Sequence, residues 1–70
     1  MNKETAQEVR DYALEAIRNL SSGLNAALGK CDEEELEALK KAIGMSIIKI
    51  DNELLGLIYS KYPELDDLKD

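Results

Sequence analysis

Residues 43–62 read IGMSIIKIDNELLGLIYSKY, and this stretch decides the fold. Apolar side chains recur in it every three or four residues, which is the period of an amphipathic α-helix. On a helical wheel they form two neighbouring stripes. The first extends upstream and contains Leu36, Leu39, Ile43, Ile47, Ile50, Leu54, Leu57 and Ile58, and the second contains Ile48, Leu55, Tyr59 and Tyr62.

The two stripes together cover roughly 200° of the helix circumference, whereas a helix with one apolar neighbour needs little more than ~100°. The chain offers one other long helical pattern, and that pattern covers one stripe. The second stripe therefore predicts contact with another copy of the chain.

The first helix is predicted over residues 3–28. Its apolar residues keep one phase at steps of three and four, and they do so across Ser21-Ser22-Gly23, so we expect a continuous helix there. Asn2 is suited to the N-cap position, and Gly29 is suited to the left-handed residue that follows a helix.

A turn is predicted over residues 29–32, and a second helix over residues 33–61. Asp32 and Glu35 have the spacing of a capping box at the start of that helix. So short a turn makes the two helices antiparallel. Pro63 ends the second helix, because the residue before proline avoids the helical region, and it begins a short C-terminal turn over residues 63–68.

The predicted fold class is all-α, a long antiparallel helical hairpin forming one domain over residues 1–70. A chain of this size rarely stabilises its core without disulfides, a metal or oligomerisation. One cysteine and no histidine remove the first two options, which leaves a homodimer with the architecture of a four-helix bundle. The residues predicted at the dimer interface are Gly44, Ile48, Asp51, Leu55, Ile58, Tyr59 and Tyr62.

Asp51 falls in the middle of the wide apolar arc, where a carboxylate needs a partner or a raised pKa. In an antiparallel hairpin it lies level with Arg10. We therefore expect a structural ion pair between Arg10 and Asp51, within one chain or between two. Two alternatives are that Asp51 reaches solvent at a groove, or that it is a functional carboxylate.

The charge balance limits the classes of partner. The chain has nine Lys and Arg against fifteen Asp and Glu, a net charge of −6, which argues against binding to nucleic acid or to an anionic membrane. No apolar run approaches the ~18 residues of a membrane span, and the N-terminal residues lack the apolar core of a signal peptide. We expect a cytoplasmic protein with Cys31 as a reduced thiol.

No constellation of residues predicts an enzyme, a metal site or a cofactor. There is no histidine to act as a base for Cys31 or for a serine. The acidic residues 32–35 point in different directions on a helix, so they complement the helix dipole and do not converge on one ion.

The leading functional hypothesis is a small, non-enzymatic, homodimeric helical protein with an interaction or regulatory role. A first alternative is an acidic inhibitor or immunity-type protein that masks a basic site on a partner protein. It would use Glu33, Glu34, Glu37, Glu64, Asp66 and Asp67. A second alternative is a bundle that binds a small ligand at Asp51, which needs a cavity of roughly 300 Å³ or more.

Overall fold

The computed structural model describes residues 1–66 of the chain, and their regular elements are all helical. Helix α1 spans Lys3–Ala27 without a break at residues 21–23. After a turn the chain returns along α1 as the second arm, residues 33–61. The predicted all-α helical hairpin is therefore confirmed.

The second arm has three parts: α2 (Glu33–Lys49), a π-helical segment (Ile50–Leu55) and α3 (Gly56–Lys61). A 3₁₀ turn, Pro63–Leu65, follows it, with the proline in the first turn as expected. Residues 67 and 68 of the predicted C-terminal turn lie outside the described residues.

Local capping signals fix the ends of the helices. Asn2 Oδ1 accepts a hydrogen bond from the Thr5 backbone N–H at 2.8 Å. Gly29 follows α1 with φ of 79°, the left-handed region that glycine adopts without steric cost. At the start of α2, Asp32 Oδ1 accepts from the Glu35 N–H at 2.8 Å, and Glu35 Oε1 accepts from the Asp32 N–H at 3.2 Å. All three predicted end signals, at Asn2, at Gly29 and at the Asp32–Glu35 box, are confirmed.

The π-helical segment changes which side chains face α1. The N–H of Gly56 bonds to the carbonyl of Asp51, five residues earlier, where an α-helix bonds four residues back. This turn contains one additional residue, which rotates everything after it by about 100°. The residues that face α1 are therefore Ile47 and Ile50 before this turn and Leu55 and Ile58 after it.

The exposures of neighbouring residues show the effect of this rotation. Leu55 and Ile58 are 2% and 1% exposed, whereas Leu54 and Leu57 are 39% and 53% exposed. The assignment of Leu54 and Leu57 to the stripe facing helix one is wrong, because it assumed an uninterrupted α-helix. The sequence also predicts Leu55 and Ile58 at the dimer interface. Their own chain covers them, so each contributes mainly to the packing of the single hairpin.

The core lies at the open end of the hairpin, where the 3₁₀ turn folds back onto α1. Its buried cluster consists of Ala6, Ile58 and Leu65, with Val9, Tyr59 and Tyr62 packed against it. The hydroxyl of Tyr62 donates to the Met1 carbonyl at 2.6 Å, which adds a polar contact at this end. By contrast, α2 contains no fully buried residue. In the half of the hairpin next to the turn, the side chains of α2 are therefore only partly shielded from solvent.

The hairpin is elongated, with dimensions of 45 × 23 × 16 Å. Its radius of gyration is 14.7 Å, against about 11 Å for a compact domain of this length. It exposes 5354 Å², whereas a folded monomer of this mass exposes about 4,400 Å². The surplus is about 1,000 Å² by the same scaling.

Candidate protein-interaction surface

A groove of about 500 Å³ lies between α1 and the second arm on one side of the hairpin. Apolar side chains form most of its walls, and two aspartates and one tyrosine supply the polar atoms. We call this side the groove face. Its lining residues are Leu14, Ile17, Ile47, Ile48, Asp51, Leu55, Tyr59 and Asp66.

The apolar surface continues beyond the groove through Ile48, which is 59% exposed. A shallow depression of about 450 Å³ adjoins this residue and includes Met45, Lys49 and Glu53. All its lining residues belong to the second arm, so it is a dip between side chains on one helical surface. Ile48 thus joins the groove to the outer surface of the arm.

Asp51 lines the groove beside Ile48 and is exposed. Within residues 1–66 its carboxylate forms no hydrogen bond or ion pair. The guanidinium of Arg10 instead lies 2.9 Å from Asp11 Oδ1 and donates to the Leu65 carbonyl at 2.8 Å. The predicted Arg10–Asp51 pair is therefore not formed within the chain. The physical reason is that the 3₁₀ turn folds back onto α1 and provides an acceptor for Arg10, whose side chain is only 12% exposed.

The structure separates the predicted interface residues into two groups. Ile48, Asp51, Leu55 and Tyr59 come together in the groove, although Leu55 is buried at its floor. Gly44 lies one helical turn before Ile48. The remaining two, Ile58 and Tyr62, belong to the core at the open end.

Sequence reasoning missed part of the groove. Leu14 forms a wall on α1, three residues before Ile17, and its spacing from Ile17 was a signal that could have identified it. Asp66 borders the groove from the residue after the 3₁₀ turn. Its position depends on the fold-back of that turn, for which the sequence has no comparable periodic signal.

The acidic residues proposed to mask a basic partner do not form one patch. Glu33, Glu34 and Glu37 lie at the turn end, in the first turns of α2. Glu64 and Asp66 lie at the open end of a hairpin 45 Å long. Asp67 is outside the described residues. These positions divide the acidic charge between two distant regions.

Polar chemistry in the described part of the chain is sparse. Residues 1–66 contain no group of three or more Cys, Asp or Glu side chains placed to hold a metal ion. Every buried side-chain nitrogen or oxygen in that range has a hydrogen-bond partner. Cys31 is a half-buried free thiol. None of the helices within this range is both long enough and apolar enough to cross a membrane.

Comparison of the chain with protein-family models, curated protein sequences and solved structures finds no match. Within the described residues the groove face brings apolar side chains and two carboxylates together around one cavity, so it is the basis for a functional proposal.

Proposed function

We propose that this chain is a small, non-enzymatic interaction protein that acts as a homodimer. Two hairpins pack through their groove faces and form a four-helix bundle. The compartment we propose is the cytoplasm, where the lone Cys31 stays reduced.

The observation that carries the proposal is the surplus surface of the single hairpin. A standard protein interface buries about 800 Å² on each partner, and the surplus over a compact monomer is similar, at about 1,000 Å². Large apolar side chains lie on the surface that would be buried, above all Ile48. A dimer would remove them from water.

The uneven core also supports the proposal. Because α2 contains no fully buried residue, α1 alone covers it incompletely. The groove of about 500 Å³ lies along this same arm and is wide enough to receive side chains from a second copy. A second copy that filled the groove would pack against α2 as a second neighbour. A helix with two apolar stripes needs two neighbours to bury both of them.

The test is the mass of the purified chain by sedimentation equilibrium over a range of micromolar concentrations. We expect a species of twice 7.8 kDa. Ile48→Glu places a charge on the groove face and should give single chains. Leu57→Glu is the matched control, because Leu57 is similarly exposed, at 53%, but does not line the groove.

A single-chain mass for the wild type at every concentration, with helical circular dichroism intact, would overturn the proposal. Equal dissociation by Ile48→Glu and Leu57→Glu would show that the groove face is not the interface.

A second candidate function is binding of a small amphiphilic cation in the groove. The groove exceeds the roughly 300 Å³ that such a site needs, and it combines apolar walls with Tyr59 and the carboxylate of Asp51. Titration with benzyltrimethylammonium should then shift the NMR signals of Ile48 and Tyr59, and Asp51→Asn should abolish the shifts. No shift at millimolar ligand would remove this candidate.

The alternative of an acidic inhibitor stays a prediction without an observation in its favour, since those of its acidic residues that the structure describes lie at opposite ends of the hairpin.

A further inference from the structure

Four residues on the groove side of the second arm form a stripe with an ordered chemical character. Lys41, Gly44, Ile48 and Asp51 follow one another at steps of three, four and three residues, so they lie along one side of the helix. The order along the stripe is basic, small, large apolar and acidic. Lys41, Ile48 and Asp51 are exposed, and Gly44 is half-buried. We call these four residues the self-pairing stripe.

The stripe is complementary to itself when it is reversed. If two second arms lie antiparallel about a two-fold axis at Ser46, positions equally distant from that residue face each other. Lys41 then faces Asp51 of the second copy, and Gly44 faces Ile48 of the second copy. Each contact occurs twice because of the symmetry.

The apolar part of this arrangement has the required space. A Cβ atom placed on Gly44 would meet no heavy atom within 4 Å, so the surface above Gly44 is open in the hairpin. Ile48 projects from the same side and is 59% exposed. A large side chain over a glycine lets two helices interlock at close range, as in knobs-into-holes packing.

The charged part of the arrangement selects the orientation. Neither Lys41 nor Asp51 forms an ion pair within residues 1–66, so both are accessible to a partner. Antiparallel docking gives two Lys41–Asp51 contacts at the edges of the stripe. Parallel docking places Asp51 against its own copy and Lys41 against its own copy, which opposes association.

The same axis also makes the arms overlap along their length. The second arm covers residues 33–61, so its midpoint is one residue from Ser46. A pairing chosen from charge and side-chain size alone thus makes the two arms overlap side by side over almost their full length. A long overlap buries more apolar surface than a short one. A parallel dimer would also overlap fully but would lack the charge match.

We infer that a second copy of this chain docks antiparallel on the second arm through the self-pairing stripe, with Lys41 of each copy bound to Asp51 of the other. The inference rests on the homodimer proposed above and assigns its orientation and its specificity residues.

The test uses the full chain and measures the dimer dissociation constant by sedimentation equilibrium at low ionic strength. Lys41→Glu and Asp51→Lys each replace two attractions by two repulsions, so each should weaken the dimer by about tenfold or more. The double variant restores opposite charges and should recover an affinity near that of the wild type. Lys61→Glu, which makes the same change in net charge on an exposed residue outside the stripe, is the control for Lys41→Glu.

The steric contact has its own variant. Gly44→Leu meets open space in the isolated hairpin, so its helical circular dichroism should be retained. In the antiparallel dimer its side chain would occupy the place of Ile48 from the second copy, and the dimer should weaken by about tenfold or more.

The outcomes separate the two proposals. If the wild type dimerises but both single charge reversals leave the dissociation constant unchanged, the dimer stands and the antiparallel stripe is overturned. If the single variants weaken the dimer and the double variant does not recover, the direct Lys41–Asp51 contact is overturned. If the wild type does not dimerise at any concentration measured, the proposed homodimer is overturned, and the antiparallel stripe with it.

Discussion

At the scale of single residues, Leu54 and Leu55 show how strongly the π-helical turn decides which side chains stabilise the hairpin. They are adjacent and chemically identical. Leu55 is 2% exposed beneath the groove, whereas Leu54 is 39% exposed on the outside of the arm. The burial of a leucine here depends on the helical phase, and the phase changes within this segment.

Leu55→Ala should therefore lower the free energy of unfolding by about 2–5 kcal/mol, because it leaves a cavity and removes buried apolar surface. Leu54→Ala should cost well under half of that. Urea unfolding of both variants at one protein concentration measures the difference. Equal losses of unfolding free energy in the two variants would contradict a change of helical phase within the second arm.

The exposed ion pair between Lys3 and Glu64, 3.4 Å apart, predicts a small dependence on pH. The pKa of Glu64 is lowered, first by a hydrogen bond from its backbone N–H to the carboxylate and then by Lys3. A lowered pKa in the folded state adds stability above the ordinary pKa, and this stability is lost as the pH falls through the folded-state value.

The wild type should therefore be slightly more stable than Glu64→Gln at pH 7, and the difference should be lost as the pH falls through the lowered folded-state pKa of Glu64. Denaturant unfolding at several pH values measures it. A difference that grows on acidification would contradict the assignment.

At the scale of elements, the π-helical segment acts as a one-residue insertion that lets both halves of the second arm face α1. Deleting exposed Asn52 should convert the segment to α-helix and leave Ile47 and Ile58 on the same side. Deleting exposed Ala42 from α2 is the control, because it rotates the residues before it out of phase with those after it. We expect the Asn52 deletion to retain more helical circular dichroism and more stability than the Ala42 deletion. The reverse order would show that the π turn is required for folding.

The elements that the sequence predicted correctly depend on local signals. Asn2, Gly29 and the Asp32–Glu35 box act within one turn of the chain, and they specify the helix ends wherever they occur. The π-helical segment is coupled to packing between residues far apart in sequence, such as Ile58 with Ala6 and Leu65. A helical wheel drawn at a constant 100° per residue assumes an unbroken α-helix, so it does not reveal the π-helical segment. Within one chain Arg10 bonds to the Leu65 carbonyl across the folded-back turn and not to Asp51, whereas an Arg10–Asp51 pair between two chains stays a prediction.

At the scale of the whole molecule, the hairpin has more surface than a compact monomer of its mass, and its buried residues are concentrated at one end. In the proposed dimer, the groove face would provide the apolar surface and the self-pairing stripe would provide charges that discriminate between orientations. The proposal therefore links fold and assembly through the second arm, which packs on α1 with one side and would pack on a second copy with another.

The concentration of the core at the open end predicts an unusual order of opening for a hairpin. Amide hydrogens in α3 and the first half of α1 should exchange slowest with deuterium, and those near Gly29 fastest, because local opening is cheapest where few side chains are buried. If the proposed dimer forms, dilution should speed exchange in α2 more than in α3, since the second copy would cover α2. Uniform exchange rates along both arms would contradict this gradient. The hairpin would thus unfold first at the turn end, and the packing of α3 against the first half of α1 at the open end would be lost last.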